Sequence, residues 1–136
     1  MMIITKEQAR EFASHWLPAW TGNNPGKLAN YYSDDEVYLD PSVPQGLKGK
    51  DALLKYFRKL LAFNTDWVWT QLEPIPMEDG FLNKWHAKIP IGSKTIECVG
   101  VCFVQFNDKG LIRRNEVYFD CTELNDEIIK LKQSIE

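Results

Sequence analysis

A chain of 136 residues, 44% hydrophobic and 26% charged, suits one domain. A domain of that size buries roughly two thirds of its unfolded surface without help from a metal or a disulfide. The net charge of −3 argues against a nucleic-acid surface, because affinity for phosphates rests on clustered Lys and Arg. No stretch of about 18 apolar residues occurs, and the start Met1-Met2-Ile3-Ile4 is too short for a signal-peptide core, so a cytoplasmic protein without membrane contact is expected.

The first helix is signalled by a Thr5/Gln8 capping box and by Ala9, Phe12, Ala13, Trp16 and Trp20 at helical spacing. Pro18 removes a backbone donor and bends or ends it, and Gly22 with Asn24-Pro25-Gly26 makes the turn beyond. A short helix around Leu28 to Tyr32 follows. Val37 to Asp40 alternates as a strand that puts Tyr38 and Asp40 on one face, before a loop carrying Pro41, Pro44, Gly46 and Gly49. A third helix begins near Asp51, carries Leu53, Leu54, Phe57, Leu60 and Leu61 inward, and ends near Asn64.

From Trp67 the period changes to two. Trp67 to Glu73 reads as a strand stopped by Pro74 and Pro76; Phe81–Ile91 and Lys94–Phe106 form a hairpin through Gly92-Ser93; Leu111 to Asp120 follows the turn at Asn107-Asp108-Lys109-Gly110. A last helix carries Leu124, Ile128, Leu131 and Ile135 as its stripe. Helices followed by a meander predict an α+β domain over 1–136, with its core at about 5–125 and a C-terminal helical extension at about 122–136. Cys98 and Cys102 lie roughly 13 Å apart along one strand and cannot bridge. With only His15 and His86 beside the three cysteines, no structural zinc set is expected, and no cofactor.

Several segments carry a resemblance: Tyr31-Tyr32-Ser33-Asp34-Asp35-Glu36-Val37 with Asp40-Pro41, Gly49-Lys50-Asp51-Ala52-Leu53-Leu54-Lys55-Tyr56-Phe57, Gly110-Leu111-Ile112, and Glu116-Val117-Tyr118-Phe119-Asp120. Together they resemble the SnoaL-like group of the nuclear-transport-factor-2-like (cystatin-like) fold. That resemblance implies a cone-like, curved antiparallel sheet wrapped around N-terminal helices, open to solvent at one end, with the convex side commonly forming a dimer. It does not settle the chemistry, since one fold hosts many reactions and non-catalytic binders.

Within the resemblance, Asp40 matches the general base of ketosteroid isomerases. The two neutral acids of that reaction fall on Trp16, an indole donor, and on Cys102, a weak thiol donor. The catalytic carboxylate of limonene-epoxide hydrolase falls on Val117, with Leu82 and Lys84 near its other two positions. A polyketide-cyclase reading leaves the acid/base role to Asp40 or His86. The candidate catalytic residues are therefore Asp40 as base and Trp16 as donor. The candidate ligand-binding residues are Trp20, Tyr32, Tyr38, Phe57, Trp85, Cys102, Asn115, Val117 and Phe119, and no metal ligand is assigned. His86 alternates with Trp85 and is placed on the convex side, and Val99, Val101 and Phe103 are expected there too. Asp40 also has a plainer reading, as an acceptor for backbone N–H groups at the turn before Pro41. The expected partners are a small hydrophobic molecule and a second copy of the chain. The protein is either an isomerase- or cyclase-type acid–base enzyme or a non-catalytic ligand-binding or dimerisation module.

Overall fold

The computed structural model describes residues 3–135; Met1, Met2, Glu136 and the side chain of Ile135 lie outside the described residues. Helix α1 (Lys6–Trp16) starts at Thr5, whose hydroxyl accepts from the Gln8 amide while the Gln8 side chain accepts from the Thr5 amide. Pro18 does not break the chain direction at once. It sits in the first turn of a 3-10 segment, Leu17–Trp20, that follows directly on α1 and ends at Thr21. The end of that segment is fastened to the distant start of a strand: the Thr21 hydroxyl donates to the Trp67 carbonyl at 2.7 Å, and the Trp67 indole N–H donates to the Trp20 carbonyl.

A short α2 (Pro25–Ala29) leads into β1 (Tyr32–Leu39), a two-residue β2 (Leu47–Lys48) and α3 (Lys50–Phe63). Strands β3 (Val68–Met77), β4 (Gly80–Ile91), β5 (Lys94–Phe106) and β6 (Ile112–Tyr118) follow, and α4 (Thr122–Ile135) closes the chain. The helix expected at 28–32 ends earlier, and Tyr32 already belongs to β1. The six strands form one open, curved sheet in the order β2-β1-β6-β5-β4-β3. All pairs are antiparallel except β1 with β6, which run parallel, so the sheet is mixed rather than wholly antiparallel.

Pro74 and Pro76 do not stop β3, which continues to Met77. The strand is an outer one, paired only with β4, and two prolines of the same parity can turn their nitrogens to the free edge without losing a ladder bond. Register shifts interrupt β3 between Gln71 and Glu73, β5 between Gln105 and Phe106, and β1 between Tyr32 and Val37. Such irregularities bend strands, and here they lie in the sheet that curls around α1 and α3.

Alternation along β4 is strict: Phe81, Asn83, Trp85, Ala87, Ile89 and Ile91 are all buried, with Lys84, Lys88 and Pro90 exposed between them. Fully burying a side chain such as Ile89 or Phe81 contributes about 1.5–3 kcal/mol, so this one strand anchors much of the core. His86 and Lys84 lie on the other, convex face, and His86 meets Glu97 there at 3.1 Å. No described helix is long and apolar enough to cross a membrane.

Candidate functional site

A cavity of about 380 Å³ opens between the concave sheet face, the 3-10 segment, α3 and α4. Its volume falls in the range of small-molecule sites, roughly 300–1,000 Å³. All five tryptophans of the chain line it: Trp16 and Trp20 from the N-terminal helical segment, Trp67 just before β3, Trp69 from β3 and Trp85 from β4. Their rings interlock edge to face, Trp69 with Trp85 at 4.5 Å and with Trp67 at 5.1 Å between centroids. That geometry suits the ring quadrupole and makes the wall stiff. Leu124, Asn125, Ile128 and Lys132 of α4 complete the lining, so the last helix, expected only as an extension, is part of the site.

Asp40, at the end of β1, is the carboxylate of the wall, and it is 8% exposed. Both of its oxygens are engaged. Oδ1 accepts from the amides of Ser42 at 2.8 Å and Val43 at 3.2 Å, the turn that Pro41 directs. Oδ2 accepts from the hydroxyls of Tyr38 at 2.8 Å and Tyr56 at 2.7 Å. The plainer expectation, an acceptor at the turn before Pro41, is met by one oxygen, while the other belongs to a tyrosine cluster at the cavity wall. Burial, followed by the nearby Asp40 charge, pushes both phenols well above the usual tyrosine range, so they stay protonated and donate.

Of the other residues expected at the site, Trp16, Trp20, Tyr38, Trp85, Cys102, Val117 and Phe119 line the cavity. Tyr32, Phe57 and Asn115 do not; they pack in the core behind it, where the Tyr32 hydroxyl donates to Asn115 Oδ1 at 2.7 Å and the Asn115 amide donates to the Phe103 carbonyl. The Trp16 indole N–H is buried and has no hydrogen-bond partner. Its N–H lies near enough to the Tyr32 hydroxyl to oppose the effect of burial there, without closing to a hydrogen bond. Burial pushes the Cys102 thiol up to about 12, against hydrogen bonding from Asn83, Asn115 and Trp85, so it is a neutral thiol and no nucleophile.

Sequence reasoning passed over Tyr56 in favour of its neighbour Phe57. Both belong to the inner half of α3, and one helical step separates the residue that fills the core from the one that reaches Asp40. It also passed over Glu36, fully buried on β1 with neither carboxylate oxygen partnered. Burial, and secondarily the Asp35 charge, raises its pKa to about 8. Glu36 lies outside the cavity lining. Among the described residues, no group of three His, Cys, Asp or Glu side chains could hold a metal ion.

Solved structures similar to this one share its fold. A hypothetical protein from Catenulispora acidiphila with a ketosteroid isomerase-like fold, in complex with trimethylamine, superposes with a TM-score of 0.75 at 16% identity, covering 86% of this chain and 91% of that one. RV0760c from Mycobacterium tuberculosis gives 0.72 at 21% identity, over 86% and 94% of the two chains. A computationally designed 17-OHP binder gives 0.69 at 20% identity, over 82% and 91%. No curated protein matches the sequence. The family model of the SnoaL-like domain matches residues 13–115, which is most of the chain, from the last turn of α1 to the middle of β6. The chain therefore belongs to the SnoaL-like domain family.

Proposed function

We propose that the protein binds a small, mostly apolar molecule in the tryptophan-walled cavity, with the Asp40–Tyr38–Tyr56 cluster as its polar anchor. One observation carries this reading: a 380 Å³ space lined by every tryptophan of the chain and by a single carboxylate that two protonated phenols hold in place. A rigid apolar wall with a few convergent polar groups is what a small ligand needs for affinity and orientation. The similar folds that hold trimethylamine or were designed to bind 17-OHP support a ligand role for this architecture.

A second reading is acid–base chemistry on the bound molecule, with Asp40 moving the proton. What favours it is a nearly buried carboxylate at the cavity wall. Four hydrogen bonds already occupy the carboxylate, whose oxygens offer about four lone-pair sites, so a proton can be taken only when a donor swings away. Binding needs no such step and is the reading preferred.

Native mass spectrometry of the purified protein, followed by tryptophan fluorescence with any retained compound, tests the proposal. A retained mass that leaves on denaturation, with a fluorescence change on its return, is the expected result. Absence of a retained species together with unchanged fluorescence across a broad panel of apolar ligands would refute it.

A further inference from the structure

We propose that the cavity selects an organic cation, a tertiary or quaternary ammonium carried on an apolar body. This rests on the reading of the cavity as a small-molecule site and names the class of ligand. Asp40 is nearly buried, and among the described residues no Lys, Arg or His pairs with it. A buried carboxylate is ordinarily balanced by a cation. Here the hydrogen-bonding capacity of the group is filled while its charge is not. A partner that supplies positive charge without needing an acceptor completes it, and an alkylated ammonium is such a partner.

The walls point the same way. The indole nitrogens of Trp16, Trp20 and Trp69 are buried away from the cavity surface, and that of Trp67 is spent on the Trp20 carbonyl. These rings therefore present carbon and π surface to the cavity instead of N–H donors. The hydroxyl protons of Tyr38 and Tyr56 lie on Asp40, and the Asn64 amide donates to the Leu60 carbonyl. A ligand carbonyl or carboxylate would find these donors taken, whereas a cation gains from aromatic rings as well as from the carboxylate. Lys59 and Lys132 also line the space, but both are exposed, so their ammonium groups reach bulk water. There, charge is screened over about 8 Å at physiological ionic strength.

The test compares phenyltrimethylammonium with its neutral isostere tert-butylbenzene and with the anion 4-tert-butylbenzoate, by calorimetry and tryptophan quenching, on the wild-type protein and on Asp40→Asn. The expected result is at least tenfold tighter binding of the cation than of either other probe in the wild type. In Asp40→Asn that preference collapses while tert-butylbenzene still binds. Equal or better binding of tert-butylbenzene or of 4-tert-butylbenzoate by the wild type overturns the inference and leaves the small-molecule reading standing. Failure of all three probes overturns the cation inference, whereas the small-molecule reading falls only with an empty native mass spectrum and an unresponsive broad ligand panel. The wild-type comparison decides even where thermal melting shows that Asp40→Asn does not fold.

Discussion

The stability of this protein should fall as pH rises through neutrality, because Glu36 is buried without a hydrogen-bond partner. Its folded pKa of about 8 lies above the ordinary 4.5 because the side chain is wholly buried and unpartnered. Between those two values the unfolded chain has released the proton and the folded chain still holds it. The number of protons bound is then larger in the folded state, so the slope of unfolding free energy with pH is negative. Stability contributed below pH 4.5 is progressively lost up to about pH 8, beyond which both states are ionised and the loss is complete. Each pH unit between the folded and unfolded pKa corresponds to about 1.4 kcal/mol. Allowing for water and relaxation beside the exposed Asp34 and Asp35, the whole window is worth about 2–4 kcal/mol. Glu36→Gln removes the titration and keeps the shape. Its unpaired amide shifts absolute stability by a pH-independent amount, so the slopes are what matter. Urea unfolding followed by tryptophan fluorescence at pH 5, 6, 7 and 8 should show the wild type losing about 2–4 kcal/mol relative to the variant across the series. Parallel curves for the two proteins would refute the assignment of a neutral, buried carboxyl.

Two further outcomes follow from the sheet. A Cβ added at Gly100 would stand 2.6 Å from Trp85 Cζ2, 2.6 Å from the Tyr118 carbonyl oxygen and 2.7 Å from Phe119 Cβ. Gly100→Ala should therefore cost about 2–3 kcal/mol, seen as a lower melting temperature, and should disturb the Trp85 wall of the cavity; an unchanged melting point would show that the strand yields freely. The convex face exposes Leu72, Val99 and Tyr118 by about half each, with Val101 and Phe103 beside them. Apolar area of this kind on a sheet suits an isologous pairing with a second copy. Sedimentation velocity at about 10 μM, a concentration that separates weak pairs, should give a dimer for the wild type and a monomer for Val99→Lys with its melting temperature retained; a wild-type monomer would remove the claim.

Much of the fold was legible because local rules and the global structure agree. The Thr5/Gln8 capping box, the change of period at Trp67, the Gly92-Ser93 turn and the strict alternation of β4 each depend on neighbours only a few residues away. The pairing of Tyr38 and Asp40 on one face of β1 is of the same kind, and so is the convex position of His86.

What lay beyond the sequence depends on contacts between distant elements. Pro74 and Pro76 read as a stop until the strand order makes β3 an outer strand, where a missing donor costs no ladder bond. Tyr56 and Phe57 are adjacent aromatics on one helix, and only the rotation of α3 against β1 decides that Tyr56 meets Asp40 while Phe57 fills the core. Glu36 shares strand parity with Tyr38 and Asp40, so alternation alone turns it inward; what only the tertiary structure decides is that no donor stands beside it and that it lies behind the cavity wall rather than in it. Trp67, Trp69 and α4 join the cavity for the same reason. Periodicity reports which side of an element is buried, but not which buried side chains surround an empty space, because that space is shaped by how the sheet curls around the helices.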